Sequence, residues 1–170
     1  MITQSEKVTL SNTQSLRRRM WRYLPLLLWM VFIFFASTGA FSAANTSRIL
    51  RPLLVWLFPN ISEEQLAFAH FITRKAAHFT EYAILGLLAA RAFITSSKQQ
   101  LRNFWFWFAF ALVSLYALSD EYHQSFVPSR TASIYDSFID MTGGLTALLL
   151  YALWQRRRRA GRNEGMRAEG

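Results

Sequence analysis

Three groups of ionisable side chains lie inside or directly beside apolar segments of this sequence. In chain order, these groups are Lys75, His78 and Glu81, then residues 119–130 (SDEYHQSFVPSR), then Asp136 and Asp140. Charged groups in a membrane segment are costly to bury, and they usually serve a function. Imidazole and carboxyl groups transfer protons, whereas Lys and Arg hold anionic groups. The residue types therefore indicate acid–base chemistry or the binding of a charged headgroup.

Helical spacing places these side chains on shared faces, because positions three and four apart lie on one side of a helix. Residues 74–82, 116–124 and 133–147 each present such a polar face. We expect the three faces to surround a small hydrophilic pocket. The candidate catalytic residues are His78, Glu81, Asp120, Glu121, His123 and Asp140. The candidate ligand-binding residues are Lys75, Tyr82, Gln124, Arg130 and Asp136.

Some of these residues also have a purely structural interpretation. Arg130 follows Pro128 in a turn, and Asp136 begins an apolar segment where a helix dipole favours negative charge. Lys75 can extend its amine to the lipid headgroups or form an ion pair with a carboxylate. Glu81 and Asp140 lie deeper in apolar segments. For the set as a whole we favour a functional site.

Metal binding has a weaker signal in the sequence. His78 and Glu81 lie three positions apart and offer two ligand types on one face. However, the chain contains no HExxH or other strong metal motif, so we expect no bound metal and no other cofactor. The chain also lacks cysteine, which excludes disulfides and thiol catalysis.

The composition is typical of a membrane protein. Hydrophobic residues make up 52% of the 170 residues, and they are gathered in long blocks. The net charge of +9 comes from basic runs that flank these blocks, such as residues 17–22 and 156–159. Membrane topology explains that placement better than nucleic-acid binding does. We therefore expect the lipid bilayer as a partner and no nucleic acid.

The blocks predict an all-α integral membrane protein, with four transmembrane helices plus a short interfacial helix between spans one and two. Span one is uncharged, longer than the apolar core of a signal peptide and followed by no clear cleavage site, so we expect it to be uncleaved. A capping box at residues 62–65 begins the helix of span two, which ends near Ile94. The other predicted segments are a frayed stretch (1–16), span one (23–41), the interfacial helix (48–58), span three (103–119) and span four (137–154), which stops at the arginine run.

Charge counting orients this arrangement. If both termini are cytoplasmic, 14 of the 19 Lys and Arg residues lie on the cytoplasmic side, as the positive-inside rule requires. The three ionisable groups then meet at the outer face. The predicted organisation is a polar and basic cytoplasmic tail (1–22), a four-helix membrane domain (23–155) and a basic cytoplasmic tail (156–170).

Three stretches in order, RKAAHFTEYAILG (74–86), SDEYHQSFVPSR (119–130) and DSFIDMTGG (136–144), resemble the VanZ-like family of small membrane proteins. The resemblance covers roughly residues 25–152, although Ser129 stands where many relatives carry glycine. It implies a multi-pass protein of the bacterial cell membrane. The family is named for a teicoplanin-resistance protein, so the resemblance also raises a role in teicoplanin resistance.

Three functions remain open at this point. The first is a protein that binds or modulates a lipid-linked cell-wall precursor or a lipoglycopeptide at the outer leaflet, with Arg130, Lys75 and Arg74 holding an anionic group. The second is a membrane enzyme that acts on a lipid-linked envelope substrate by acid–base or metal-assisted chemistry. The third is a proton or ion path, which the uncharged inner halves of the spans disfavour. We expect the binding or modulating role.

Overall fold

The computed structural model of this chain describes residues 4–38, 43–128 and 133–168. Every regular element in these ranges is an α-helix, which confirms the predicted all-α class. The helices are α1 (Gln4–Ala36), α2 (Ala43–Leu57), α3 (Glu63–Ile94), α4 (Gln99–Asn103), α5 (Trp105–Gln124) and α6 (Ile134–Ala168).

Helix α3 is the centre of the bundle. It contacts α6 most extensively and also packs against α1, α2 and α5, while α5 packs against α6. Side-chain hydrogen bonds attach α1 to this core. Trp29 Nε1 donates to the backbone oxygen of Glu81 at 2.9 Å, and Tyr116 Oη donates to the backbone oxygen of Met30 at 2.5 Å. Helix α1 is therefore fixed to both α3 and α5.

The start of α3 follows the sequence closely. Ser62 Oγ accepts a hydrogen bond from the Gln65 backbone amide at 3.2 Å, and Gln65 Oε1 accepts one from the Ser62 amide at 3.0 Å. This reciprocal pair is the predicted capping box, and it satisfies two of the amides that a helix start leaves without partners. The helix then continues without interruption to Ile94.

Glycines set the close approach of α3, α5 and α6. A Cβ atom at Gly143 would lie 2.2 Å from the Phe79 backbone oxygen, and one at Gly86 would lie 3.0 Å from the Gly144 backbone oxygen. A Cβ atom at Gly144 would lie 2.5 Å from a methyl group of Val113. The backbones of α3 and α6 therefore touch without intervening side chains, as small residues allow in membrane helix pairs.

Two helices are longer than the sequence analysis predicted. Residues 1–16 were predicted to be frayed. This prediction is wrong within the described part, because α1 already begins at Gln4. Helix α6 continues through the arginine run to Ala168, beyond the predicted end of span four near Trp154. The basic runs indicate where a membrane segment ends, but arginine is a good helix former, and the Arg158 guanidinium packs 4.1 Å from the Trp154 ring centroid.

The connection between the first two helices agrees in outline with the prediction. The predicted interfacial helix corresponds to α2, which begins at Ala43 and ends at Leu57, just before Pro59. Its position at a membrane interface stays a prediction. The predicted end of span one near Phe41 lies outside the described residues.

Two described helices are long and apolar enough to cross a membrane, over Arg19–Ala36 in α1 and Ile134–Arg162 in α6. Helices α3 and α5, which carry the other two predicted spans, do not reach the mean hydropathy of a membrane span by the same criterion. They fall short because polar residues interrupt them, including Lys75 and His78 in α3 and the DEYHQ end of α5. The structure thus supports membrane character for α1 and α6, and the four-span arrangement stays a prediction.

Candidate functional site

Seven polar side chains are buried together where the middle of α3 meets the end of α5 and the start of α6. Their exposed fractions run from 0% to 7%. We call this set the polar cluster, and its members are His78, Asp120, Glu121, Gln124, Asp136, Ser137 and Asp140. The predicted convergence of three polar faces is therefore observed, although the catalytic and binding roles assigned to these residues stay predictions.

One member from each helix forms the centre of the polar cluster. His78 Nδ1 lies 3.2 Å from Asp140 Oδ1, and ligand-type atoms of His78, Asp120 and Asp140 all lie within 4.8 Å of one another. Asp140 is fully buried, and its second oxygen, Oδ2, has no hydrogen-bond partner among the described residues. An imidazole and two carboxyl groups so close together are suited to proton transfer or to holding a cation.

Gln124 and Glu121 of α5 make hydrogen bonds at and beside this centre. Gln124 is fully buried, and its Nε2 donates to Asp120 Oδ2 at 3.0 Å, which fixes the orientation of that carboxylate. Glu121 Oε2 accepts a hydrogen bond from the Ser133 backbone amide at 2.8 Å, just before α6 begins. Glu121 therefore satisfies one of the free amides at the start of α6. Its other oxygen, Oε1, has no partner in the described part of the chain.

Lys75 and Asp136 form an ion pair at the margin of the polar cluster. The Lys75 amine donates to Asp136 Oδ1, and the side chains are 21% and 8% exposed. The same amine lies 5.2 Å from the centroid of the Phe71 ring. An ion pair with a carboxylate was one of the structural interpretations of Lys75 in the sequence analysis, and this contact agrees with it. Lys75 is the more exposed of the two partners.

Three other predicted site residues occupy different surroundings. The His123 ring stacks on the Phe34 ring of α1, with centroids 4.5 Å apart, so His123 faces α1 rather than the three-residue centre. Glu81 is half-buried and lies close enough to His78 to act on it electrostatically. Tyr82 is fully buried within electrostatic range of Asp120 and Asp140. Arg130 lies outside the described residues.

The structure adds Ser137, which the site prediction did not include, and shows the surroundings of Arg74, which the binding hypothesis already named. Ser137 is fully buried, and its Oγ donates to the backbone oxygen of Ala117 at 3.4 Å. Its spacing of three residues from Asp140 is the signal that would have placed it on the same face. Arg74 is half-buried, and its Nε and Nη2 atoms have no partner among the described residues. These two nitrogens lie within electrostatic range of His78 and are candidate contacts for an anion.

The side chains of the polar cluster are all buried. An open groove of about 460 Å³ lies at the opposite end of the bundle, between the start of α5 and the end of α6. The expectation of a pocket open to the exterior therefore depends on the connection between α5 and α6, where residues 129–132 lie outside the described ranges.

Comparison with known proteins gives one result that covers this region. A family model described as VanZ/LLP1 matches residues 21–155. This range contains every member of the polar cluster and most of the bundle. No curated protein and no solved structure shows a significant match.

Proposed function

Because the chain belongs to the VanZ/LLP1 family, we propose that it is an integral protein of the bacterial cell membrane that binds or modulates a lipid-linked ligand. The ligand is a cell-wall precursor or a lipoglycopeptide, and the polar cluster holds its charged part. One observation carries the proposal: the bundle buries a cluster of charged and polar side chains while many of its large apolar side chains are exposed.

The surface of the bundle is strongly apolar. The exposed large side chains include Leu27, Phe35, Trp107, Leu115 and Leu150, with exposed fractions from 55% to 69%. Water would make such a surface an aggregation hazard, whereas lipid covers it favourably. Since α3 packs against both α1 and α6, a bilayer that contains those two helices would also contain α3 and α5. We therefore propose four spans.

Basic residues orient the protein. At the end of the bundle opposite the polar cluster, Arg22 donates to Ser97 Oγ at 3.1 Å, and Arg102 donates to the Ser96 backbone oxygen at 2.7 Å. The arginine run 156–159 lies at the same end of α6. The positive-inside rule places this end and both termini in the cytoplasm, so the polar cluster lies toward the outer face.

The ligand is inferred from the charges. Arg74 offers unpaired guanidinium nitrogens, and Lys75 offers a partly exposed amine, so the two suit a phosphate or carboxylate group. The carboxylates of Asp120 and Glu121 accept hydrogen bonds from hydroxyl or amide groups. A lipid-linked precursor supplies an anionic group beside a polar headgroup, and its acyl chain would lie along the apolar outer surface.

An enzyme that acts on the same lipid-linked substrate is the second candidate. The contact between His78 and Asp140 favours it, because a carboxylate beside an imidazole orients it and supports proton transfer. Purified protein in nanodiscs, incubated with a lipid-linked precursor, separates the two candidates. Stoichiometric binding without product supports the binding role, and product formation that Asp140→Asn abolishes supports the enzyme.

The biological test is survival in teicoplanin. A susceptible bacterium would express the wild-type chain, His78→Ala, Asp120→Asn or Asp140→Asn at matched membrane abundance, with the exposed Glu64→Gln as control. We expect wild type and the control to protect, and the three variants to lose protection. Equal protection by all five proteins would exclude the polar cluster from the function. No protection by the wild type would exclude teicoplanin as the relevant ligand.

A further inference from the structure

His78, Asp120 and Asp140 come from three different helices, α3, α5 and α6, and they meet at the centre of the polar cluster. Their ligand-type atoms lie within 4.8 Å of one another. Nitrogen and oxygen ligands sit about 2.0–2.2 Å from a zinc ion, so two ligands of one tetrahedral ion lie about 3.3–3.6 Å apart. Side-chain rotations that move these atoms by about 1 Å would bring the three groups around one ion.

The two carboxyl groups at this position favour a bound cation. Among the described residues, neither Asp120 nor Asp140 forms an ion pair with Lys or Arg, because Lys75 is taken by Asp136. Asp140 is fully buried, yet its Oδ2 has no hydrogen-bond partner in the same described part. A buried carboxylate oxygen without a partner is costly, and native structures usually pair such charges or use them to coordinate metals.

The surroundings also resemble those of a metal site. Gln124 Nε2 donates to Asp120 Oδ2 at 3.0 Å, and such a hydrogen bond orients a coordinating carboxylate. His78 Nδ1 lies 3.2 Å from Asp140 Oδ1, a distance that suits either a hydrogen bond or two ligands on one ion. Both carboxylates together would neutralise a doubly charged ion, with His78 as a neutral ligand.

We propose that His78, Asp120 and Asp140 bind one divalent transition-metal ion, with Zn²⁺ as the first choice and Mn²⁺ as the second. Imidazole favours zinc over magnesium and calcium, carboxylates also accept manganese, and the chain has no thiolate to select softer metals. Three protein ligands leave a zinc ion with one open position, the arrangement of sites that bind a further ligand. No strong metal motif is visible in the sequence because the three ligands come from separate helices.

The biological use of this ion rests on the proposed function. An ion with an open position would bind the phosphate or carboxylate of a lipid-linked ligand directly, while Arg74 and Lys75 meet the same group from α3. Metal binding itself does not depend on that ligand. An experiment can therefore show which of the two proposals fails, the metal site or the lipid-linked ligand.

The experiment measures metal content without any lipid ligand. The full chain would be purified in detergent with a tag that contains no histidine, stripped with a chelator and titrated with Zn²⁺ and, separately, Mn²⁺. We expect one ion per chain for the wild type. We expect affinity to fall more than about 100-fold in His78→Ala, Asp120→Asn and Asp140→Asn, since loss even of an outer partner costs 10–100-fold. Circular dichroism and elution volume check that each variant is folded.

Glu121→Gln is the matched control. It changes a buried carboxylate of the polar cluster that lies outside the three-residue group, and the amide oxygen still accepts from Ser133. It should bind metal as the wild type does. The proposal is overturned if the wild type binds no ion, if the three ligand variants bind as well as wild type, or if Glu121→Gln loses the ion equally. Metal binding without any lipid ligand or teicoplanin protection would overturn only the proposed function.

Discussion

The two ends of this bundle bury different kinds of side chain. At the end with the arginine runs, the interior consists of closely packed apolar residues such as Leu85, Ala89, Ala109 and Leu148, all fully buried. At the other end, the same three helices bury the polar cluster, which includes four carboxyl groups. A membrane surrounds the outside of both ends with lipid in our account, so the surroundings alone do not explain the difference.

This contrast separates residues kept for packing from residues kept for function. Small and apolar residues let helices approach closely, which is the main source of stability in a bilayer. Buried charges instead reduce stability unless they are paired, so replacing a buried charge that has no ion-pair partner with a neutral group of the same shape relieves that cost. We therefore expect changes of packing residues to damage the fold and changes at the centre of the polar cluster to damage the function.

The largest loss of stability is expected from Gly143→Ala, at the contact of α3 and α6 that joins the two ends. The added methyl group would lie 2.2 Å from the Phe79 backbone oxygen, so the helices must separate. We expect a cost above about 3 kcal/mol and little folded protein in the membrane. Gly161→Ala is the control, since nothing lies within 4 Å of its Cβ position. Fractions of folded protein from size-exclusion chromatography test this, and equal yields would contradict the observed close contact.

Leu148→Ala tests how closely the apolar end is packed, because the substitution leaves a cavity in its interior. Leu148 is fully buried in α6, whereas Leu150 on the same helix is 62% exposed. We expect Leu148→Ala to lower the free energy of unfolding by about 2 kcal/mol, because the cavity removes packing contacts. Leu150→Ala should change it by less than about 0.5 kcal/mol. Denaturant titration in detergent measures both values. A similar loss in the two variants would mean that the apolar interior is not closely packed.

Lys75→Met tests the margin of the polar cluster. Removal of the amine leaves Asp136 without its ion-pair partner, and the Asp136 side chain is only 8% exposed. Because Lys75 itself is partly exposed, we expect a modest loss of about 1 kcal/mol by the same titration. Lys75→Arg keeps the positive charge and should lose less. A larger loss than for Leu148→Ala would show that this pair is mainly structural.

Local patterns in the sequence predicted much of this architecture. Ser62 and Gln65 identified the start of α3, and the spacing of His78, Asp136 and Asp140 placed them on faces that do meet. These predictions succeeded because a cap and a helical face depend only on residues a few positions apart.

Contacts between distant helices were not predictable in the same way. The stacking of His123 on Phe34 depends on how α1 is rotated, and α1 is apolar around most of its membrane segment, so periodicity does not define its inner face. The hydrogen bond from Ser133 to Glu121 depends on the path of the chain between α5 and α6. The length of α6 was missed because a run of arginines marks a membrane boundary without ending a helix.

The smallest effect on stability is expected from Asp140→Asn, which shows whether the Asp140 carboxylate serves function or folding. Asp140 is fully buried beside Asp120 and His78, and asparagine keeps its shape while removing one negative charge. The measurement is the thermal unfolding midpoint of this variant and of wild type, side by side in the same detergent with a metal chelator present. If Asp140 is retained for function, the midpoint of the variant equals or exceeds that of wild type. A midpoint lowered by several degrees would show that Asp140 mainly holds the fold together, and it would contradict our account of the polar cluster.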